Sequence, residues 1–262
     1  MGLNIVLKGS RVSRTGRSRV RFGKSPAEGV FVGSSAWEYG VWFQSSSGRY
    51  AAQLENRLLL ELVPPELAGP VLDVGCGTGT HLFFLSRLGG CGVGIDSSAD
   101  MLRIAQRRVT SSGTTDIFLV RARAEALPFQ DHSFNLVFLV TSLEFFNEPV
   151  QALKEAWRVG RGCLLVAVLN RLSLCCLWLR VKMAFQKSLF QSATFYDPWE
   201  LKRRVQKTGP PKAQVKITWR TTLFSFPVVP LLAQPLLRRI DRLLTYLHWP
   251  FGAFLVMWAE VN

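Results

Sequence analysis

The chain has 262 residues, of which 48% are hydrophobic, with a formal charge of +14 and a mean hydropathy of +0.17. The apolar content excludes a disordered protein, and the length suits one α/β domain with appendages. The longest apolar run, over residues 223–237, is broken by Pro227, Pro230 and Pro235 and is too short to span a bilayer.

Residues 1–30 carry seven basic side chains against Glu28 and have little apolar periodicity. This predicts a flexible basic leader. No long apolar core follows its charges, so no secretory signal is expected, and Val6 stands where a myristoylated start needs Ser or Thr. Residues 31–262 are then expected to form a single domain. Its first part, 36–63, is an aromatic cap: Trp37, Tyr39, Trp42, Phe43 and Tyr50 precede a helically spaced stretch at 53–62, closed by Pro64-Pro65. Strands are predicted near 70–75, 91–95, 116–120, 134–140 and 162–168, and helices near 80–88, 98–110 and 149–158. Such alternation demands a parallel sheet with helices on both faces.

Two apolar, basic inserts, 171–190 and 223–250, flank a sixth strand near 213–222, and a last strand is expected at 252–259. Residues 171–246 carry 14 basic and three acidic side chains, net +11, whereas 31–170 are net −2. Basic, aromatic-bearing helices of this kind suit a membrane interface, the roof of a substrate pocket, or packing on the sheet. The five cysteines and three histidines show no C-x-x-C and no metal spacing, so no metal is expected and a reducing cytoplasm fits.

The most informative stretch is Val71-Leu72-Asp73-Val74-Gly75-Cys76-Gly77-Thr78-Gly79, followed by Gly94-Ile95-Asp96. An apolar run delivers an acid and three alternating glycines, and a second run ends in another acid 21 residues after Gly75. Strand, tight turn and helix N-terminus built this way let a nucleoside-containing cofactor lie against bare backbone. The dinucleotide fingerprint is G-x-G-x-x-G. Here the pattern is G-x-G-x-G, with Asp73 two residues before the first glycine. That carboxylate would repel a pyrophosphate but suits the sulfonium and α-amino groups of S-adenosylmethionine. Cys76 fits the turn as a small residue.

These residues, together with Asp96-Ser97-Ser98-Ala99-Asp100-Met101-Leu102, Ala124-Glu125-Ala126-Leu127-Pro128-Phe129, Asp131-His132-Ser133-Phe134-Asn135 and Leu143-Glu144-Phe145-Phe146, resemble class I S-adenosylmethionine-dependent methyltransferases. The resemblance is to the broad group that includes the ubiquinone and menaquinone C-methyltransferases, and it covers roughly residues 36–170. It implies a Rossmann-like seven-stranded α/β sheet, mostly parallel with an antiparallel last strand. It also implies S-adenosyl-L-methionine as cofactor. By the same resemblance Asp73 would meet the methionine amino end, Gly75, Cys76, Gly77 and Gly79 would present the turn, and Asp96 would bind the ribose hydroxyls. Ser97 and Met101 would border the adenine, Ala124 of the Ala124-Glu125 pair would donate its N–H to it, and Thr141 would lie beside the methionine. Tyr39 and Trp42 would cover the cofactor, or else plug the open end of the sheet.

Three positions depart from the family pattern. Arg123 replaces an Asp expected to accept from the adenine amino group, and arginine has no acceptor. Asn135 replaces an Asp, and Phe145 replaces a His. The candidate bases are Glu144, His81, Tyr196 and Asp197, none with a catalytic assignment. The expected function is methyl transfer to a small, hydrophobic acceptor. The alternatives are an RNA-directed methyltransferase, motivated by the basic segments, and a catalytically degenerate cofactor-binding protein. The expected partners are a lipophilic small molecule and, secondarily, an anionic membrane surface, with nucleic acid ranked below them.

Overall fold

The computed structural model describes residues 6–7, 10–11, 31, 33–65, 67–89, 91–185, 189–211, 214–224 and 234–261. Most of the leader expected over 1–30, and residues 225–233 of the second insert, lie outside the described residues. Within the leader, β1 (Val6–Leu7) pairs antiparallel with β2 (Ser10–Arg11).

The aromatic segment forms helix α1 (Ser34–Trp42) ahead of α2 (Ser46–Leu62). The break between them is set by Ser45, whose hydroxyl accepts the Gly48 N–H at 3.0 Å and so satisfies one of the free donors at the start of α2. The buried face of α2 is Ala51, Glu55, Leu58 and Leu59, a spacing that places one stripe against the sheet. A glutamate in that buried stripe is unusual.

The chain then alternates through β3 (Val71–Val74), α3 (Thr80–Gly89), β4 (Gly92–Asp96), α4 (Ala99–Ser112), β5 (Ile117–Arg121), β6 (Leu136–Val140), α5 (Pro149–Val159) and β7 (Cys163–Leu169). It closes with α6 (Leu174–Phe185), α7 (Pro198–Thr208), β8 (Val215–Thr222), α8 (Gln234–Tyr246) and β9 (Phe254–Val261). The seven strands from β3 onward lie in the order β5-β4-β3-β6-β7-β9-β8. All neighbouring pairs from β5 to β7 are parallel, and β9 runs antiparallel to both β7 and β8. The expected sheet is therefore the observed one. Helix α7 is absent from the predicted elements, although Asp197 caps it by accepting the Glu200 N–H at 2.8 Å and Pro198 occupies its first turn.

The central strands are apolar on both faces, as a covered parallel sheet requires. Along β6, Leu136, Phe138 and Val140 pack with Leu58 and Leu59 of α2 and Leu82 of α3, while Val137 and Leu139 pack with Leu153 and Trp157 of α5 and Leu201 of α7. Helices thus cover both faces. The strand order reverses between β3 and β6, so the connections leaving their carboxyl ends run to opposite sides and leave a crevice there. The glycine turn follows β3 at that point, and Thr141 follows β6.

Candidate functional site

Gly75, Gly77 and Gly79 have φ of 79°, 51° and 79°, backbone that side-chain-bearing residues avoid. A Cβ on Gly75 would sit 2.5 Å from Ser142 Cβ, so packing against the end of β6 demands glycine there. A Cβ on Gly77 would meet nothing nearer than Met101 Sδ at 4.0 Å, because that face of the turn is open. The turn is lashed to β4: the Gly75 and Cys76 N–H groups both donate to Ile95 O (2.9 and 2.8 Å), and the Gly77 N–H donates to Asp96 Oδ2 at 2.9 Å. Asp96 Oδ1 accepts the Ser98 N–H at 2.8 Å. From behind, Arg108 donates to Thr78 O and Thr80 Oγ1 at 3.2 and 3.0 Å.

One cleft collects Asp73, Gly75, Cys76, Gly77, Asp96, Ser97, Met101, Ala124, Glu125, Thr141 and Tyr39. Two predicted site residues fall outside it. Gly79 closes the turn onto α3 and faces Phe83 and Ala105. Trp42 lies one helical turn beyond Tyr39 on α1 and lines a neighbouring cavity instead. The cleft also includes Phe31, which no sequence signal marks. It is brought there by the Ser98 hydroxyl donating to Phe31 O at 2.7 Å and the Gly33 N–H donating to Asp100 Oδ2 at 2.9 Å. Phe31 then packs edge-on against Tyr39 and Phe145, with ring centroids 5.5 and 5.0 Å apart. Tyr39 and Thr141 both line this cleft. Thr141 itself has φ of 47°, a strained conformation for a β-branched residue and one that clusters at functional sites.

The electrostatics of the cleft are acidic. Asp73 is buried, and burial together with the neighbouring Asp96 raises its pKa well above the usual carboxylate range. Burial also raises Asp96, against the stabilising N–H groups of Ser98, Gly77 and Ser97. Among the described residues no cation offsets either carboxylate. Two buried carboxylates in one cleft leave an unmet demand for positive charge.

Tyr39, Thr141 and Phe145 also line a second cavity of about 420 Å³ between α1, α2 and α6. Its wall is mostly apolar, with Trp42, Phe43, Trp178, Leu179, Phe190 and Leu223, and no Lys or Arg is among its described lining residues.

The candidate bases separate sharply. Glu144 is buried, its Oε1 accepts the Leu169 N–H at 2.7 Å, and it lines neither cavity. Tyr196 is fully buried beneath the Arg204 guanidinium, and Asp197 caps α7 and pairs with Arg171. His81 alone borders the cleft, beside Glu55, which sequence reasoning missed because it sits within a helix rich in exposed polar residues.

The three departures have structural explanations of different kinds. Arg123 turns its Nε toward Glu125 Oε2 at 3.4 Å at the cleft margin. Asn135 lies away from the cleft, donating to Ala68 O at 2.8 Å and accepting from Arg161 at 3.2 Å. Phe145 makes the wall shared by the two cavities apolar.

The sequence model described as a methyltransferase domain matches residues 71–161. A malonyl-[acyl-carrier protein] O-methyltransferase of Marinomonas sp. (strain MWYL1) is 41% identical over 103 residues, 38% of this chain and 37% of that protein. A demethylmenaquinone methyltransferase of Lactiplantibacillus plantarum is 40% identical over 93 residues, 34% of this chain and 39% of that protein. The chain thus matches less than two-fifths of the length of either relative. Among solved structures, a SAM-dependent methyltransferase of Thermotoga maritima, described as a possible histamine N-methyltransferase, superposes with a TM-score of 0.66. It is 25% identical and covers 89% of this chain and 99% of its own.

Proposed function

We propose that the chain is a class I S-adenosylmethionine-dependent methyltransferase that transfers a methyl group from S-adenosylmethionine to a small, lipophilic acceptor. The observation that carries this reading is the pair of buried carboxylates, Asp73 and Asp96, facing an open glycine turn with no offsetting cation among the described residues. A cofactor bearing a sulfonium and an ammonium group meets that demand. Asp73 would attract the ammonium end, Gly75, Cys76 and Gly77 would offer backbone, and Asp96 retains lone pairs for ribose hydroxyls beyond those given to Gly77 and Ser98. Ser97, Met101, Ala124 and Glu125 would border the adenine.

When bound, S-adenosylmethionine supplies an electrophilic methyl group that a lone pair of the acceptor displaces, and alignment of the two is the main source of acceleration. This chain's residues supply the alignment. Tyr39, Thr141 and Phe145 form the wall between cleft and cavity, and Phe31 packs on Tyr39 and Phe145 at the cleft.

The apolar cavity beyond that wall supports a lipophilic acceptor. The two relatives are named for different acceptors, and the cavity lining favours one closer in character to demethylmenaquinone than to a nucleic acid. On two of the helices that line it, Trp37 and Trp42 of α1 and Leu177, Trp178 and Val181 of α6 are exposed, and α6 also carries the exposed Arg180 and Lys182. Exposed aromatics with flanking cations suit contact with an anionic bilayer from which such an acceptor is drawn. No helix among the described residues is long and apolar enough to cross a membrane.

Titration calorimetry with S-adenosylmethionine and S-adenosylhomocysteine tests the cofactor assignment. Micromolar binding lost in Asp96→Ala supports it, and absence of binding by both ligands overturns it. Co-sedimentation with vesicles containing anionic lipid at low salt, reduced by Trp178→Ser, tests the membrane contact.

A further inference from the structure

Where the cleft meets the apolar cavity, two buried polar side chains face one another. Glu55 on α2 and His81 on α3 each have side chains only 8% exposed, and Glu55 Oε2 lies 3.6 Å from His81 Nε2. Neither atom has a hydrogen-bond partner among the described residues. Burying such groups unsatisfied is unfavourable, so their retention asks for a reason. Position supplies one: His81 lines the cofactor cleft, and Glu55 lines the apolar cavity. The other carboxylate on that cavity wall, Glu38, is exposed.

His81 Nδ1 lies 3.0 Å from Asn56 Oδ1. An amide oxygen only accepts, so this contact assigns the ring proton to Nδ1 and leaves the Nε2 lone pair toward Glu55. Because Asn56 follows Glu55 on α2, one helix places the carboxylate and orients its partner.

Resting on the cofactor reading above, we propose that Glu55 accepts a proton from an ionisable hydroxyl on the lipophilic acceptor, with His81 as its positioning residue. The acceptor O–H bond breaks, the proton bonds to the Glu55 carboxylate, and the electron pair stays on the acceptor oxygen. Glu55, now an acid, faces the His81 Nε2 lone pair 3.6 Å away, and its proton returns to solvent once the site empties. This narrows the acceptor to a lipophilic phenol or enol. Burial supports the division of roles by raising the Glu55 pKa to about 7 and lowering that of His81 to about 4, so the proton resides on Glu55.

The test uses an alkylated nitrophenol, colourless as the phenol and yellow as the phenolate, added to the full chain with S-adenosylhomocysteine. The pH is set about one unit below the probe's own pKa and above the Glu55 pKa of about 7, where the carboxylate is free to accept a proton. Wild type is expected to raise the phenolate-to-phenol ratio of bound probe by up to about tenfold over free probe, the equivalent of one pKa unit. Glu55→Gln is expected to bind S-adenosylhomocysteine and the probe while leaving the probe colourless, and His81→Asn to give a smaller yellow fraction than wild type. Equal yellow fractions in wild type and Glu55→Gln overturn the proposal, as does a wild type that binds S-adenosylhomocysteine but not the probe. If Glu55→Gln does not fold, calorimetry of wild type in two buffers of different ionisation enthalpy decides. Phenolate formation without proton release supports transfer to the protein, and release of about one proton per probe overturns it. Failure of wild type to bind S-adenosylhomocysteine overturns the cofactor reading instead, so the two failures are distinct.

Discussion

The Gly77 N–H donates to Asp96 Oδ2 at 2.9 Å, joining the glycine turn to the end of β4 across 19 residues of chain. The carboxylate that is offered to a ribose is therefore also the one that shapes the turn beneath it. Asp96→Ala removes the acceptor for both Gly77 and Ser98. Bonds to a charged group are worth about 1.5–3 kcal/mol each. The variant is expected to lose S-adenosylhomocysteine affinity by at least about tenfold and to unfold at lower temperature. Asp96→Asn keeps one oxygen and should fall between the two. Calorimetry that finds wild-type affinity in Asp96→Ala would remove Asp96 from the cofactor site.

Two neighbouring glycines separate folding from binding. In Gly75→Ala the new methyl meets Ser142 Cβ at 2.5 Å, so the variant is expected to be destabilised by several kcal/mol and recovered poorly. In Gly77→Ala the methyl enters open space, leaving only the strain of a residue at φ 51°, about 1–2 kcal/mol. That methyl occupies the cleft face, so Gly77→Ala should stay folded and bind S-adenosylhomocysteine at least about tenfold more weakly. Thermal unfolding and calorimetry on both variants check this. Equal affinity in Gly77→Ala and wild type would show that no ligand lies against the turn.

The sheet was legible because its signals are local: apolar runs at strand length, glycines at a fixed spacing, and Asp96 at the end of the second run. What escaped depends on contacts distant in sequence. Phe31 reaches the cleft only through Ser98 and Asp100, each tied to the chain 67 residues earlier. Glu55 is buried because α3 presents His81 opposite it, which the pattern of α2 cannot reveal. Tyr39 and Trp42 look equivalent as a cap, yet the pitch of α1 sets Tyr39 between the cleft and the next cavity and Trp42 in the next cavity alone. Helix α7 was missed for a different reason. Its start signals, Asp197-Pro198 and Glu200, are local, but its charged middle offers few apolar positions beyond Leu201 and Val205.

Asn135 shows that a departure from a family pattern need not touch the site. Its Nδ2 donates to Ala68 O at 2.8 Å, so Asn135→Asp sets a carboxylate against a carbonyl oxygen. Arg161, which already donates to Asn135 Oδ1 at 3.2 Å, offsets part of that repulsion, but the pair is exposed and worth little. The variant is expected to lose about 1 kcal/mol of stability and to bind S-adenosylhomocysteine as wild type does. A change in affinity would mean that the loop before β3 is coupled to the cleft.

Glu144 carries a pH signature that bears on its standing as a candidate base. Burial raises its pKa to about 8, with the Leu169 N–H pulling the other way, so near neutrality it holds a proton and cannot accept one. The unfolded chain loses that proton near pH 4.5, the ordinary value for the group. Stability from Glu144 is therefore complete below that value and is lost as pH rises through the folded pKa. Glu144→Gln keeps an oxygen to accept from Leu169 and cannot ionise. The difference in stability between variant and wild type should shift in favour of the variant from about pH 5 to about pH 8, by about 1.4 kcal/mol for each unit of pKa displacement. Glu55, raised to about 7, acts in the same direction, and His81, lowered to about 4, loses its contribution as pH falls. Both are present in either protein, so they cancel in the difference. Urea unfolding of the two proteins at both pH values measures it, and a difference that does not change with pH would place the Glu144 titration outside the folding equilibrium.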